Sequence, residues 1–162
     1  MKAVVQRVSR AEVRVEGQTV ARIGTGLLVL VGVARDDSPA DVRWMADKLV
    51  HVRIFDDAEG KLNHSVSDVG GALLLVSQFT LLGDCRKGRR PSFVAAAPAA
   101  QATALYDQLI EEIRTLGVPV ETGRFGAMMQ VELVNEGPVT VILDSRACTA
   151  AEDTTNSGTT AS

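Results

Sequence analysis

Histidine is nearly absent from this chain: 162 residues hold two, His51 and His64. Neither has a partner at helical spacing, so a zinc site of three or four His, Cys or carboxylate ligands has no donors in register. Cysteine is equally sparse. Cys85 and Cys148 lie far apart in no CxxC pair, which suits a reduced, cytoplasmic protein and makes both thiols bystanders. Aromatics make up only 4%, so the core must be built from Val, Leu, Ile and Ala. The opening "MKAVVQRVSRAEV" alternates apolar and charged residues and is no signal peptide. The longest apolar run, "GLLVLVGVA", is too short to span a bilayer. No internal repeat is visible.

Signature loops are missing too. There is no G-x-S-x-G elbow and no GxxxxGK[ST], which argues against α/β-hydrolase and phosphate-loop chemistry. "GTGLLV" lacks the third glycine of a dinucleotide loop and reads as a turn into a strand. The acidic pairs Asp36-Asp37, Asp56-Asp57 and Glu111-Glu112 are adjacent residues that point apart, as caps and solvated faces do. No cofactor is expected.

What remains is a soluble, 46% hydrophobic chain of net charge −3, long enough for one domain with a sizeable core. Residues 2–24 alternate around Val4, Val8, Val13, Val15 and Val20, with a turn at Glu16-Gly17. Residues 26–34 are a continuous apolar run and read as a buried strand, and 71–81 read as a second buried strand that ends in polar residues. Ser38 and Pro39 cap a helix that reaches His51, with Val42, Met45, Ala46, Leu49 and Val50 as its stripe. A second helix covers 97–117 on Leu105, Leu109, Ile113 and Leu116. Residues 131–134 and 139–143 read as strands, joined through the turn residues Asn135, Glu136, Gly137 and Pro138. Beyond Ser145 the chain is Ser/Thr-rich and reads as a disordered tail, 146–162. Two helices against many strands predict an α+β fold rather than a doubly wound parallel one.

Two places carry chemistry. "SQFTL", 77–81, puts polar Ser77, Gln78 and Thr80 at the end of an aliphatic strand, where sites tend to be built. "RKGRRPSF", 86–93, gathers Arg86, Lys87, Arg89 and Arg90 around Gly88 in an otherwise acidic protein. Guanidinium forks suit phosphate oxygens, and Phe93 offers a stacking face, so single-stranded RNA is a fitting ligand class. Three readings follow: an RNA-directed hydrolase, a non-catalytic RNA-binding module, and a small-molecule esterase with a Ser or Thr nucleophile.

Together "MKAVVQRVSRAEV", "SQFTL", "RKGRRPSF", "ETGRFGAMM" and "NEGPVTVILDS" resemble the D-aminoacyl-tRNA deacylase family, collinearly over 1–145. The resemblance implies a homodimer of β-rich, barrel-like sheets with two helices packed on one side. It implies hydrolysis of the ester between a D-amino acid and the tRNA 3′ end, with Ser77, Gln78, Phe79 and Thr80 at the catalytic strand end. Met129, Phe125, Asn135 and Thr140 would line or flank the substrate. Gly137-Pro138, with a cis peptide, would reach into the partner's site and reject L substrates with main-chain oxygens. Glycine, lacking a side chain, would escape that wall. Arg86, Lys87, Arg89 and Arg90 would grip tRNA phosphates. Backbone N–H groups near Gln78 and Phe79 would hold the ester oxygen, since the motifs offer no base to a hydroxyl nucleophile.

Overall fold

The computed structural model describes residues 1–147. One long strand organises the sheet. β1 (Lys2–Val15) pairs antiparallel with β3 (Gly26–Gly32) through its first half and with β2 (Gln18–Ile23) through its second. Its other edge carries β8 (Gln130–Asp144) along nearly its whole length. The order β2-β1-β3-β6-β7, with β8 on β1, makes a barrel-like mixed sheet; β6 is Ala72–Ser77 and β7 is Val120–Thr122. A two-stranded hairpin, β4 (Phe55–Asp56) and β5 (Leu62–His64), stands apart.

The pairings β3–β6 and β6–β7 are parallel. Parallel neighbours need long crossovers, and the two helices lie in those crossovers: α1 (Pro39–His51) and α2 (Ala99–Thr115). They pack on each other and cover one face of the sheet. Alternation then explains the unbroken apolar runs. Leu27, Val29, Val31, Leu73 and Leu75 face the helices, whereas Leu28, Leu74 and Val76 face a second core inside the barrel with Val8 and Val13. With both faces covered, no strand position is left for a polar residue. Truncating any of these leucines to alanine costs about 2–5 kcal/mol.

The bounds of α1 match the sequence signals, while α2 is two residues shorter at each end than the expected 97–117. The Asp41 carboxylate accepts the Ser38 N–H at 2.8 Å and its hydroxyl at 2.9 Å, and Pro39 takes the first position. His51 ends α1. The same carboxylate accepts from Ser145 Oγ at 2.6 Å, and this hydroxyl lies 2.8 Å from the buried Met1 ammonium, which donates to Asp37. The starts of β1 and α1 and the end of β8 are thus tied in one polar knot. Breaking a buried pair of this kind by removing one partner costs about 3–5 kcal/mol.

One expectation is corrected. Residues 135–138 do not form a hairpin turn: β8 runs through them as a single strand, Gln130–Asp144. Gln6 pairs with Thr140 and Val8 with Asn135, so residues 136–139 bulge out opposite Arg7 alone. Proline is tolerated because the ladder is already broken there. Of the predicted tail 146–162, residues 148–162 lie outside the described residues. Arg146 continues a helical turn, and its guanidinium pairs with Asp36. No helix among the described residues is long and apolar enough to cross a membrane.

Candidate active site

The end of β6 is where the sheet stops being a sheet. The Gln78 N–H makes a last ladder-like bond to the Val31 carbonyl at 2.7 Å. The chain then turns into a short 3₁₀ helix, Phe79–Leu82, closed by Leu81 N–H on the Gln78 carbonyl at 3.2 Å. That turn lies hard against β3. A Cβ on Gly32 would stand 2.4 Å from Leu82 Cδ2 and 2.9 Å from the Gln78 oxygen, so only glycine allows the approach. A helix start leaves its first N–H groups without intrahelical acceptors. The Phe79 N–H has none among the described residues. Of the two amides expected to hold an ester oxygen, Gln78 is therefore occupied and Phe79 is free.

Beside this turn opens a cavity of about 610 Å³. Ser77, Gln78 and Phe79 form one side, Ala99 and Ala102 of α2 another, and Phe125, Met128 and Met129 the third. Val31, Val33 and Val76 line it from the sheet. The walls are largely apolar with a few convergent polar groups, the usual character of a small-ligand site. Phe79 is 55% exposed at its edge and meets Phe93 edge-on, ring centroids 5.1 Å apart. Thr80 does not line the cavity. It is exposed, and Gln78 Nε2 donates to its hydroxyl. Among the described residues no carboxylate or imidazole is hydrogen-bonded to the hydroxyl of Ser77 or Thr80. No group of three or more metal-ligating side chains occurs among them either.

Sequence reasoning missed Tyr106. It is buried on α2 and donates its hydroxyl to the Leu75 carbonyl at 2.9 Å, the same oxygen that accepts from Gly123 N–H at 2.9 Å. Its ring lies 5.9 Å from Phe125. Burial pushes its phenol well above the usual range, so it stays a donor. Tyr106 thus fixes both the strand that delivers Ser77 and the loop that delivers Phe125. Its apolar neighbours in the helical stripe hid it.

The Gly137-Pro138 corner lies elsewhere. It is exposed and is not among the residues lining this chain's own cavity. The peptide is cis. Asn135 Nδ2 closes the base of the bulge, donating to the Arg7 carbonyl at 2.9 Å and the Val139 carbonyl at 3.0 Å. Thr140 Oγ accepts from Gln6 Nε2 at 3.3 Å. Arg7 is only 7% exposed and supports the corner from below. Its Nε donates to the Glu136 carbonyl at 3.0 Å and its Nη1 to the Ile54 carbonyl at 2.9 Å. Asp56 lies 3.4 Å from the same guanidinium.

The basic segment is a tied loop. Asp84 and Ser92 exchange backbone hydrogen bonds of 2.8 and 2.9 Å, and Gly88 turns the tip at φ +70°. Lys87, Arg89 and Arg90 are exposed. Arg86 is folded back on Asp84, 2.6 Å between Nη2 and Oδ2. That contact holds the Asp84 carboxyl at about 2, below the usual carboxylate range.

Residues 4–144 match the model of a family described as D-Tyr-tRNA(Tyr) deacylase. The chain is 63% identical over 146 residues to the D-aminoacyl-tRNA deacylase of Anaeromyxobacter dehalogenans, covering 90% of this chain and 98% of that one. It is 59% identical over 145 residues to the one from Desulfitobacterium hafniense, covering 90% and 97%. Among solved structures, a c-Myc DNA unwinding element binding protein superposes with a TM-score of 0.85 at 42% identity, covering 89% of this chain and 98% of its own. A probable eukaryotic D-amino acid tRNA deacylase shares the fold alone, with a TM-score of 0.75 at 21% identity over 88% of this chain and 97% of its own.

Proposed function

Since this chain belongs to the D-Tyr-tRNA(Tyr) deacylase family and hydrolyses D-aminoacyl-tRNA esters, we propose that handedness is read by main-chain oxygens of Gly137-Pro138 presented by a second copy. One observation carries this reading. The corner is held by hydrogen bonds from Arg7 and Asn135, yet it is exposed and lines no part of the cavity that its own chain encloses. A homodimer brings corner and cavity together. The exposed Val134 and Ile142 on β8, 40% and 74% accessible, support such a contact on that strand.

D and L esters carry the same groups. With ammonium and ester both held, the side chain and the α-hydrogen exchange places, and a rigid oxygen wall rejects the L side chain by clash and desolvation. Ser77, Gln78, Phe79, Phe125 and Met129 hold the aminoacyl end. Water adds to the ester carbonyl, the Phe79 N–H stabilises the oxyanion, and the acyl–oxygen bond breaks. The proton passes to the ribose 3′ oxygen, releasing amino acid and tRNA. Loss of a single oxyanion donor typically costs about 10²–10³ in rate. The adjacent ribose 2′-hydroxyl is placed to help activate the water, and the exposed basic loop takes tRNA phosphates. The setting is cytoplasmic, where aminoacyl-tRNA is used.

Deacylation of matched D-tyrosyl-, L-tyrosyl- and glycyl-tRNA tests the filter. Cleavage of the D and glycyl esters with L untouched is expected, because glycine has no side chain for the wall to meet. An inert glycyl ester at every enzyme level rejects the wall.

A further inference from the structure

The four cations of the basic loop are not equivalent. Arg86 donates Nε to both oxygens of Asp84, at 2.9 and 3.0 Å, and Nη2 to Oδ2 at 2.6 Å. Its own N–H adds a further bond to Oδ1 at 3.0 Å. Asp84 is also the residue whose backbone closes the loop on Ser92. Guanidinium and carboxylate therefore form a latch across the base of the loop. Lys87, Arg89 and Arg90 make no ion pair among the described residues and project from a tip that Gly88 reverses.

We propose that Arg86 is a positioning residue held by Asp84, and that the phosphate-binding face of the loop consists of Lys87, Arg89 and Arg90. This rests on the reading of the loop as the tRNA contact. A carboxylate tethered two residues away meets the guanidinium at a high effective concentration, which a diffusing phosphodiester cannot match. The Asp84 carboxylate cancels the Arg86 charge, so the net positive field of the loop is left at the tip and draws the nucleic acid backbone there. Asp84 and Arg86 further line two neighbouring hollows, of about 300 and 560 Å³, so the latch shapes the surface on both of its sides.

Salt dependence separates the roles, because each phosphate neutralised adds roughly 0.7–0.9 to the slope of log affinity against log salt. The probe is an unacylated tRNA transcript ending in CCA, bound to the full chain between about 50 and 200 mM salt. Lys87→Ala, Arg89→Ala and Arg90→Ala each flatten the slope by about that increment. Arg86→Ala leaves the slope at the wild-type value and weakens binding by one salt-independent factor. Asp84→Asn, which frees the guanidinium, steepens the slope. A slope flattened by Arg86→Ala as much as by Arg89→Ala overturns the latch, and so does an Asp84→Asn slope equal to wild type. If none of the variants changes the slope, the loop is not the tRNA contact, and the underlying reading falls as well.

Discussion

Arg7 Nε donates to the Glu136 carbonyl at 3.0 Å, joining residues 129 apart in sequence at the wider of the two irregularities in the β1–β8 ladder. The same guanidinium reaches the hairpin through Ile54 and Asp56. The Gly137-Pro138 corner is therefore not a loose loop. It stands on a buried fork anchored in a third segment of the chain, and a backbone wall can discriminate only if it does not yield.

Arg7→Met tests that support. It leaves the Ile54 carbonyl without its donor, at a cost of about 1–3 kcal/mol, while the exposed Glu136 carbonyl can turn to water. The expected outcome is a folded protein with Tm lowered by several degrees, and L-tyrosyl-tRNA cleavage rising about tenfold relative to the D ester. Arg7→Lys keeps the charge but not the planar fork, and discrimination falls in the same direction. Unchanged D/L ratios in both variants reject a supporting role for Arg7.

Gly137 sits at φ +138°, where residues with side chains are strained, and a Cβ there would lie 2.7 Å from both Val139 Cγ2 and Val139 N. Gly137→Ala must shift the corner. The corner is exposed, but the Cβ also stands 3.2 Å from the buried Arg7 Nη2, so Tm falls by no more than Arg7→Met lowers it while D-ester hydrolysis falls by about 10²-fold, of the order lost when a site contact is misplaced by an ångström. Full activity of Gly137→Ala separates the corner from the site.

The strand-end chemistry was legible in sequence because Ser77 and Gln78 interrupt a run whose every earlier position is apolar. Leu74 and Leu75 face opposite cores, so a polar residue marks the point where the sheet ends. Parallel pairing of β3 and β6 was not foreseen, although unbroken runs such as "ALLLV" are what strands covered on both faces look like. The Gly-Pro corner looked like a hairpin because turn residues serve a bulge equally well. Arg7 was missed for a different reason. It follows Ala3 and Val5 on the inward parity of β1, but its charge suggests solvent, and nothing local announces Glu136 as its partner. Likewise, four cations in five positions look alike until Asp84 is seen to hold one of them.

Glu12 gives a pH prediction. Its carboxylate is bound by Thr19 Oγ at 2.7 Å, Arg22 Nε at 2.8 Å and Arg14 Nε at 2.5 Å. These bonds lower its pKa from 4.5 to about 2. The folded value lies below the unfolded one, so the stabilisation is complete above about pH 4.5 and is lost as pH falls toward 2. Glu12→Gln is expected to lower Tm at neutral pH, with the gap to wild type closing as the acid limit is approached. A gap that stays constant from pH 7 to 2 means the carboxylate charge is not what ties β1 to β2 here.

Thr80 decides between the two ways of breaking the ester. As a nucleophile its hydroxyl needs a base, but its side-chain partner among the described residues is Gln78 Nε2, a donor that cannot take a proton. As part of the turn, its hydroxyl accepts from Gln78 Nε2 and so restrains the Gln78 side chain. Thr80→Ala should then keep D-tyrosyl-tRNA hydrolysis within about fivefold of wild type, since the amide donor belongs to the backbone and survives the change. Ser77→Ala, at the cavity wall, should raise KM more than it lowers kcat. A Thr80→Ala protein that folds and binds tRNA but turns over no ester would hand the reaction to the hydroxyl. An acyl-enzyme trapped on Thr80 by mass spectrometry during turnover would show the same thing directly.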